Sequence, residues 1–368
     1  MNKKKILFLI HDLGHGGAEK VLVNLVNNMD PEQFDISVTA LFGGGVNEQF
    51  LKPHVRYRAI YSKTMPGNSH LMKLLTPGQL HRMYIREHYD IEVSYLEGPC
   101  ARIISGCTDP DTKTVCWIHS TTGSRSTFAI GFRSAAEAAA CYGRFDLGAF
   151  VSGGVMDAFR AYCPLERAQV LYNTNESDII LRRSTEETDL SGSGLRWCAV
   201  GKLTRNKGFD RMLRIQKRLV EEGYDTHFLA LGEGEMRPEL EEYVREHELT
   251  DSVTFLGYQT NPYKYVAKCD LFVCASFAEG FSTAATEALI VGTPVCTVEV
   301  SGMKEMLGEN NEWGIVTEND EEALYRGIKR LLDDPALLAH YKHRAEERGR
   351  TFSTENTVKA VQDMLRSL

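Results

Sequence analysis

Residues 271–289 read LFVCASFAEGFSTAATEAL and pass from an apolar run through a polar turn into a helix. The run Leu271–Cys274 is too apolar to alternate between a buried and an exposed face, which predicts a strand covered on both faces. Ser282 stands where the helix begins and can cap it. A strand followed directly by a capped helix is the repeating unit of a parallel α/β sheet. The stretch therefore predicts an α/β fold with a ligand site at the turn.

The same alternation runs through both halves of the chain. Strands at Lys5–Ile10 and Ile36–Phe42 flank an amphipathic helix and predict a βαβ unit. Further strands are predicted at Ile91–Leu96, Lys113–His119, Leu147–Val151, Gln169–Tyr172, Trp197–Gly201, His227–Leu231, Val253–Leu256 and Val295–Val298. We expect two Rossmann-like, doubly wound domains that face a central cleft.

The apolar pattern stops between residues 176 and 194, where serine, glycine and charged residues predominate. This segment is predicted to link a first domain of residues 1–175 to a second domain of residues 195–352. The closing helix, residues 353–368, is expected to join the first domain.

Composition excludes several classes of protein. The 368 residues are 43% hydrophobic with a net charge of −8, and no dense basic stripe suggests nucleic-acid binding. No apolar run approaches the roughly 20 residues that cross a bilayer, so a cytoplasmic location is expected. The nine cysteines form no C-x-x-C pair and predict reduced core thiols, not disulfides or zinc ligands.

The loop His11–Glu19 joins the first strand to the first helix, where small residues let a ligand approach the helix amino end. A dinucleotide site would need an acid at the end of the second strand, and Ala40–Gly43 offers none. NAD binding is therefore disfavoured. A tight βα turn without a ligand is the plain alternative.

Cations and acids mark two turns of the second half. Lys202, Arg205 and Lys207 follow its first strand and suit a diphosphate, although loop cations are often merely solvated. Glu287 lies about a turn and a half inside an apolar helix and needs a partner. Sugar hydroxyls would serve, and backbone amides or a lysine such as Lys304 are the alternatives.

Five motifs occur in the order seen in retaining glycosyltransferases of family 4, and the chain resembles that family over nearly its whole length. The resemblance is most specific after Arg196, because two acids separated by seven residues are a family hallmark. The motifs are Gly16–Glu19, Gly201–Gly208, Gly232–Gly234, Phe255–Gly257 and the pair Glu279 and Glu287.

The resemblance implies a GT-B fold and a retaining, metal-independent hexosyltransferase that needs no cofactor. Arg205 and Lys207 would replace the metal that neutralises a departing diphosphate. Glu287 would hold the ribose and Glu279 the donor sugar. Other implied donor-side residues are Gly17, Gly201, Glu233, Gly257, Tyr258, Gly280, Phe281, Ser282 and Thr283. Gly16 and Glu19 would lie on the acceptor side.

His119 ends a predicted strand and resembles the family histidine that faces the donor sugar. A surface or core histidine is the alternative. The family often has Asn-Gly after the last strand of its first domain, whereas this chain has Tyr172–Asn175. The backbone between the domains is therefore expected to differ there.

The span 63–86 combines basic and apolar residues without acids. It predicts peripheral contact with an anionic membrane that holds a lipid-linked acceptor, or else a helix packed on its own domain. The expected function is hexose transfer from a nucleotide sugar, with UDP favoured, to a glycan or lipid-linked glycan in cell-surface polysaccharide synthesis. A nucleotide-sugar epimerase and a non-catalytic nucleotide-sugar-binding protein are the alternatives.

Overall fold

The chain forms two compact units in a computed structural model that describes residues 3–63, 72–190 and 194–368. Residues 1–175 and 354–368 make the first unit, and residues 176–353 make the second. Each is built around one parallel β-sheet.

The first unit has seven strands in the order β3-β2-β1-β4-β5-β6-β7. Because the chain leaves β1 toward β2 and later returns to its other side at β4, the order reverses there, as in a doubly wound sheet. Its strands are β1 (Lys4–Ile10), β2 (Phe34–Phe42), β3 (Arg56–Tyr61), β4 (Ile91–Ser94), β5 (Lys113–Ile118), β6 (Leu147–Phe150) and β7 (Ala168–Val170). Its helices are α1 (Gly17–Asn28), α2 (Pro77–Tyr84), α3 (Pro99–Ile104), α4 (Arg125–Phe128), α5 (Ala135–Tyr142) and α6 (Gly153–Arg160).

The second unit has six strands in the order β10-β9-β8-β11-β12-β13, and here the reversal lies between β8 and β11. Its strands are β8 (Leu195–Val200), β9 (Thr226–Leu231), β10 (Val253–Gly257), β11 (Leu271–Cys274), β12 (Val295–Val298) and β13 (Ile315–Thr317). Its helices are α7 (Ser177–Ser184), α8 (Phe209–Glu221), α9 (Arg237–Glu246), α10 (Tyr263–Val266), α11 (Thr283–Ile290), α12 (Met303–Leu307), α13 (Glu321–Asp333) and α14 (Pro335–Thr351). The last helix, α15 (Thr354–Arg366), belongs to the first unit. The prediction of two doubly wound α/β domains is confirmed.

The structure departs from the predicted linker over 176–194. Residues 177–184 form α7, which packs on α10 and α11 within the second unit. Only Ser177 and Ile180 of this helix are buried, so its apolar face is too narrow to show as a periodic pattern. The edge strand β3 was missed for a related reason, since none of its residues is fully buried.

Burial agrees with the reading of the cysteines as free thiols. All nine are free, and eight of them are buried, while Cys107 is partly exposed. Within the described ranges, every helix is too short or too polar to cross a bilayer.

Candidate functional site

Two turns meet at the carboxyl edge of the second sheet. Residues 201–208 follow β8 and residues 275–282 follow β11, the strands between which the order reverses. The Phe277 amide donates to the Asn206 carbonyl at 2.8 Å. The Asn206 side chain donates in return to the Ala278 carbonyl at 3.0 Å. Ligands of doubly wound sheets bind at such a reversal, so these turns are the leading candidate site.

A glycine brings the two turns into close contact. Gly208 has φ +67°, and a Cβ there would collide with the Ala275 carbonyl oxygen. The nearly buried Arg211 donates to the same oxygen at 2.8 Å, and burial lowers the pKa of its guanidinium. The backbone path of the first turn is therefore fixed against the second.

Lys207 and Glu279 form an ion pair across the two turns. Lys207 Nζ lies 2.6 Å from Glu279 Oε1, with the two side chains 30% and 12% exposed. Ser276 donates its hydroxyl to the same oxygen, also at 2.6 Å. Two of the residues predicted from the motifs are thus in direct contact, and the lysine side chain remains partly exposed.

Arg205 does not join this ion pair in the structure. Its side chain is 81% exposed and lies 3.6 Å from Glu239, a residue of α9. An exposed pair of this kind is worth at most about 1 kcal/mol, so the guanidinium can turn toward an anion at little cost.

Helix α11 begins within the second turn. The Ser282 hydroxyl accepts from the Ala285 amide at 3.3 Å, which confirms the predicted cap. Phe281 is buried with its ring 5.8 Å from that of Phe352. Gly280 precedes it and Thr283 opens the helix, and both of these residues are partly exposed.

Glu287 lies in the middle of α11 and is 8% exposed. The Tyr263 hydroxyl of α10 donates to Glu287 Oε1 at 3.2 Å. Lys304, named above as an alternative partner, pairs with Glu299 at 2.7 Å. The Tyr263 hydroxyl is therefore one of the groups that hold this carboxylate, and Lys304 is engaged elsewhere.

The turns after β8, β9 and β10 lie side by side. The Leu203 amide donates to the Glu233 carbonyl at 3.0 Å, and the Gly232 amide donates to the Gly257 carbonyl at 2.8 Å. The Glu233 carboxylate pairs with Arg237 at 2.8 Å. Tyr258, next to Gly257, has 69% of its surface exposed. These residues and Gly201 border one continuous edge next to the Lys207–Glu279 ion pair.

In the first unit, the loop between β1 and α1 is braced by the loop after β2. The Asn47 amide donates to the Leu13 carbonyl at 2.9 Å. Helix α1 begins at Gly17, with Gly16 before it and Glu19 in its first turn. The Glu19 carboxylate folds back over this amino end, since a Cβ added at Gly16 would collide with it.

His119 follows β5 and is held by Glu97, which follows β4. Glu97 Oε1 accepts from the amides of His119 and Ser120, each at 2.6 Å. Both residues keep some exposed surface, but protein surrounds the Glu97 carboxylate, and this desolvation raises its pKa. Burial also lowers the pKa of His119 to about 3. His119 is therefore neutral, and within the described residues its buried Nε2 has no hydrogen-bond partner.

Several residues of these sites escaped the sequence analysis. Ser276 and Asn206 lie inside the quoted motifs, but nothing in the spacing shows which side chains point across the turns. Glu97 could have been predicted as a site residue, because an acid directly after an apolar strand falls at the ligand-binding edge of a parallel sheet. No sequence pattern marks Tyr263 as a site residue.

Comparison with known proteins finds a family match within the second unit. Residues 186–350 match the model of glycosyl transferases group 1. A 4-alpha-N-acetylgalactosaminyltransferase of Campylobacter jejuni, whose substrate is N-acetylgalactosamine-N,N'-diacetylbacillosaminyl-diphospho-undecaprenol, is 34% identical over 205 residues, or 55% of this chain and 54% of that protein. The 2-deoxystreptamine glucosyltransferase of Streptomyces kanamyceticus is 31% identical over 37% of this chain and 36% of its own length. The chain thus matches about half or less of the length of these relatives.

Solved structures resemble the whole chain in fold. Anabaena HepE in complex with UDP and glucose superposes with a TM-score of 0.80 and 18% identity, over 99% of this chain and all of that chain. Sucrose-phosphate synthase from Thermosynechococcus elongatus gives a TM-score of 0.79 and 17% identity over 99% of each. The fold agrees with the GT-B architecture implied by the motifs, and residues 186–350 of this chain match the glycosyl transferases group 1 family.

Proposed function

We propose that this protein is a retaining glycosyltransferase that moves a hexose from a UDP-sugar to a glycan or lipid-linked glycan in cell-surface polysaccharide synthesis. The observation that carries the proposal is the ion pair of Lys207 and Glu279 between two fixed turns, beside the amino end of α11. A cation and a helix amino end at one sheet edge suit a diphosphate. The family match of the second unit supports the same assignment.

The chemical step would be driven by charge neutralisation. As the bond between the sugar and the diphosphate breaks, negative charge grows on the phosphate oxygens. Lys207 is already held in place by Glu279, which also accepts a hydrogen bond from Ser276, so the lysine can meet that charge without reorganisation. Arg205 would leave Glu239 and add a second cation. No metal ion is required in this proposal.

Donor recognition would use the remaining residues of the same edge. Glu287 would accept the ribose hydroxyls, and the amides near Phe281 and Thr283 would bind the sugar and phosphate. The exposed ring of Tyr258 gives a base a surface on which to stack. Uracil is favoured because UDP accompanies the solved structures of Anabaena HepE.

His119 would act in the first unit as a neutral group. With a pKa of about 3 it does not exchange protons near neutral pH. The acceptor proton is instead taken by the departing phosphate in this proposal. Gly16, Gly17 and Glu19 would contact the acceptor.

Membrane contact is proposed for part of the span 63–86, of which residues 64–71 lie outside the described structure. Leu74 is 76% exposed and Met83 of α2 is 49% exposed. Arg133 donates to the Leu74 carbonyl at 3.0 Å, and Arg102 donates to the Leu75 carbonyl at 2.7 Å. Both arginines therefore fix the turn that presents the exposed leucine, and the partly exposed Arg133 also places a cation beside it, which suits an anionic bilayer surface.

Nucleotide binding is the first test of the function. UDP at 100 times its dissociation constant should raise stability by about 2.7 kcal/mol, whereas GDP, ADP and NAD should have smaller effects. Glu287→Gln should weaken the UDP effect, and Glu242→Gln, at an exposed acid of α9, should leave it intact. A shift by NAD alone, or an unchanged response in Glu287→Gln, would remove the basis of the donor site.

Turnover decides between transfer, isomerisation and binding alone. UDP-hexoses incubated with lipid-linked acceptors should give a product whose anomeric configuration, read by NMR, matches that of the donor. The rate should not respond to added Mg²⁺ or Mn²⁺. An isomerised nucleotide sugar without an acceptor would support an epimerase, and UDP binding without any product would support a binding protein.

Vesicle sedimentation tests the membrane contact separately. The protein should sediment with anionic vesicles more than with neutral ones, and Leu74→Ser should reduce that fraction. Leu181→Ser, at a 47% exposed leucine of α7, is the matched control. Equal loss in both variants would contradict the assignment to the Leu74 turn.

A further inference from the structure

Three side chains with metal-binding atoms converge in the first unit, outside the residues used in the proposed transfer. His81 lies on α2, Glu92 on β4, and Cys107 just after α3. Their ligand atoms all lie within 4.8 Å of one another. His81 Nε2 and Glu92 Oε2 are 2.7 Å apart. Nothing in the spacing of 81, 92 and 107 resembles a zinc motif, which is why the sequence did not reveal the cluster.

The ligand atoms of the cluster indicate which metal ion it would bind. Imidazole nitrogen, carboxylate oxygen and thiolate sulfur are the three ligand types that Zn²⁺ accepts together. Tetrahedral zinc holds such atoms about 3.3–3.6 Å apart, as its bond lengths of about 2.0–2.3 Å require. The observed separations reach that range if His81 Nε2 and Glu92 Oε2, which are 2.7 Å apart, separate by about 0.6 Å and the partly exposed Cys107 side chain moves by about an ångström.

We propose that His81, Glu92 and Cys107 bind one Zn²⁺ ion, with the fourth coordination position open to solvent. Glu92 is only 2% exposed and would be the fixed ligand at the base of the site. His81 and Cys107 are partly exposed and give the ion a path of entry. The bound ion would join α2, β4 and the segment after α3.

Metal binding would replace a proton in the cluster. Burial lowers the pKa of His81, but hydrogen bonds to Cys107 and Glu92 outweigh it and raise the pKa to about 9. The ion takes the neutral imidazole, so the His81 proton leaves when the ion binds. The buried Glu92 carboxylate keeps a cationic partner in both states.

Cobalt is the probe for the test, because it substitutes for zinc in tetrahedral sites and reports thiolate bonding by its absorption. The metal-free full chain should show thiolate-to-cobalt charge transfer that saturates at about one ion per chain, and Zn²⁺ should abolish the signal. Cys107→Ser should lack the charge-transfer band. Cys163→Ser, at a buried thiol outside the cluster, should keep it. Circular dichroism establishes that both variants are folded.

His81→Gln offers a second test, because glutamine preserves a hydrogen bond to Glu92 but is a poor zinc ligand. Its Zn²⁺ affinity, measured by calorimetry, should fall at least about tenfold. Absence of charge transfer in the wild type, or an equal band in Cys107→Ser, would overturn the zinc site. The site is independent of the proposed glycosyl transfer, since UDP binding is read on residues of the second unit.

Discussion

In the second unit, the turns at the reversal between β8 and β11 are tied together by a charged pair, Lys207 and Glu279. In the first unit, the turn after β4 is tied to the turn after β5 by backbone amides that donate to Glu97. The second arrangement also holds a neutral histidine. One fold therefore places an ion pair between two such turns in one unit and a carboxylate bound by backbone amides, beside a neutral histidine, between two such turns in the other.

Under the proposed function, this difference suits the second unit to binding the donor diphosphate and the first unit to binding the acceptor. A leaving diphosphate needs a cation that is fixed before the charge develops. An acceptor hydroxyl needs a polar surface that does not compete for its proton. The following predictions test each edge, beginning with the largest expected effect.

Lys207→Ala should have the largest effect on turnover. Loss of one preorganised group that stabilises transition-state charge lowers kcat about 10²–10³-fold. The Km for the donor should change much less if the charge is met mainly in the transition state. Steady-state UDP release, with a saturating acceptor, measures both parameters.

Lys217→Ala is the matched control, because Lys217 also lies on the second unit but pairs with Glu221 on the surface of α8 at 3.4 Å. Its kcat should equal that of the wild type. Equal kcat values in Lys207→Ala and the wild type would show that the charged pair only holds the turns together.

Gly208→Ala should destabilise the second unit by about 2–3 kcal/mol. The new Cβ meets the Ala275 carbonyl and also imposes a positive φ on a residue that disfavours it. Gly223→Ala separates the two effects, since φ there is +87° but nothing lies within 4 Å of an added Cβ. Denaturant titration should show a loss of only about 1 kcal/mol for Gly223→Ala. Similar losses would mean that the contact between the turns adds nothing to stability.

His119 should make the first unit sensitive to acid. Its pKa is about 3 in the folded protein and near 6.5 in the unfolded chain, so only the unfolded chain gains a proton below about pH 6.5. Stability is complete above that pH and falls as the pH falls. Between pH 7 and pH 5 the wild type should lose about 2 kcal/mol more than His119→Gln.

The control for this comparison is His15→Gln, at an exposed histidine of the first unit. It should retain the wild-type dependence on pH in urea titrations. If His119→Gln also retains it, the ring is protonated in the folded protein and the neutral role proposed for it is wrong.

The parallel strands could be predicted because burial on both faces leaves continuous apolar runs such as Leu271–Cys274. Helix α7 and strand β3 could not be predicted, since each buries too few side chains to produce a periodic pattern of apolar residues. Packing against neighbours that are distant in sequence decides such elements.

The residues of the candidate site also fall into those that could be predicted from the sequence and those that could not. Lys207 and Glu279 could be predicted to lie together, because both follow strands whose carboxyl ends share one edge. The ion pair of Arg205 with Glu239 could not be predicted, because an exposed side chain can pair with several partners at similar free energy. Tyr263 reaches Glu287 from a short helix that no motif marks.

Tyr263→Phe should have the smallest effect of the series. It removes the hydroxyl that donates to Glu287 Oε1 at 3.2 Å but keeps the ring that packs in α10. A neutral hydrogen bond contributes about 1 kcal/mol, so UDP affinity should fall about fivefold. Calorimetry against Tyr265→Phe, a buried tyrosine of the same helix, separates this effect from a general loosening of α10. Equal affinities in the two variants would show that the Tyr263 hydroxyl does not contribute to UDP binding through Glu287.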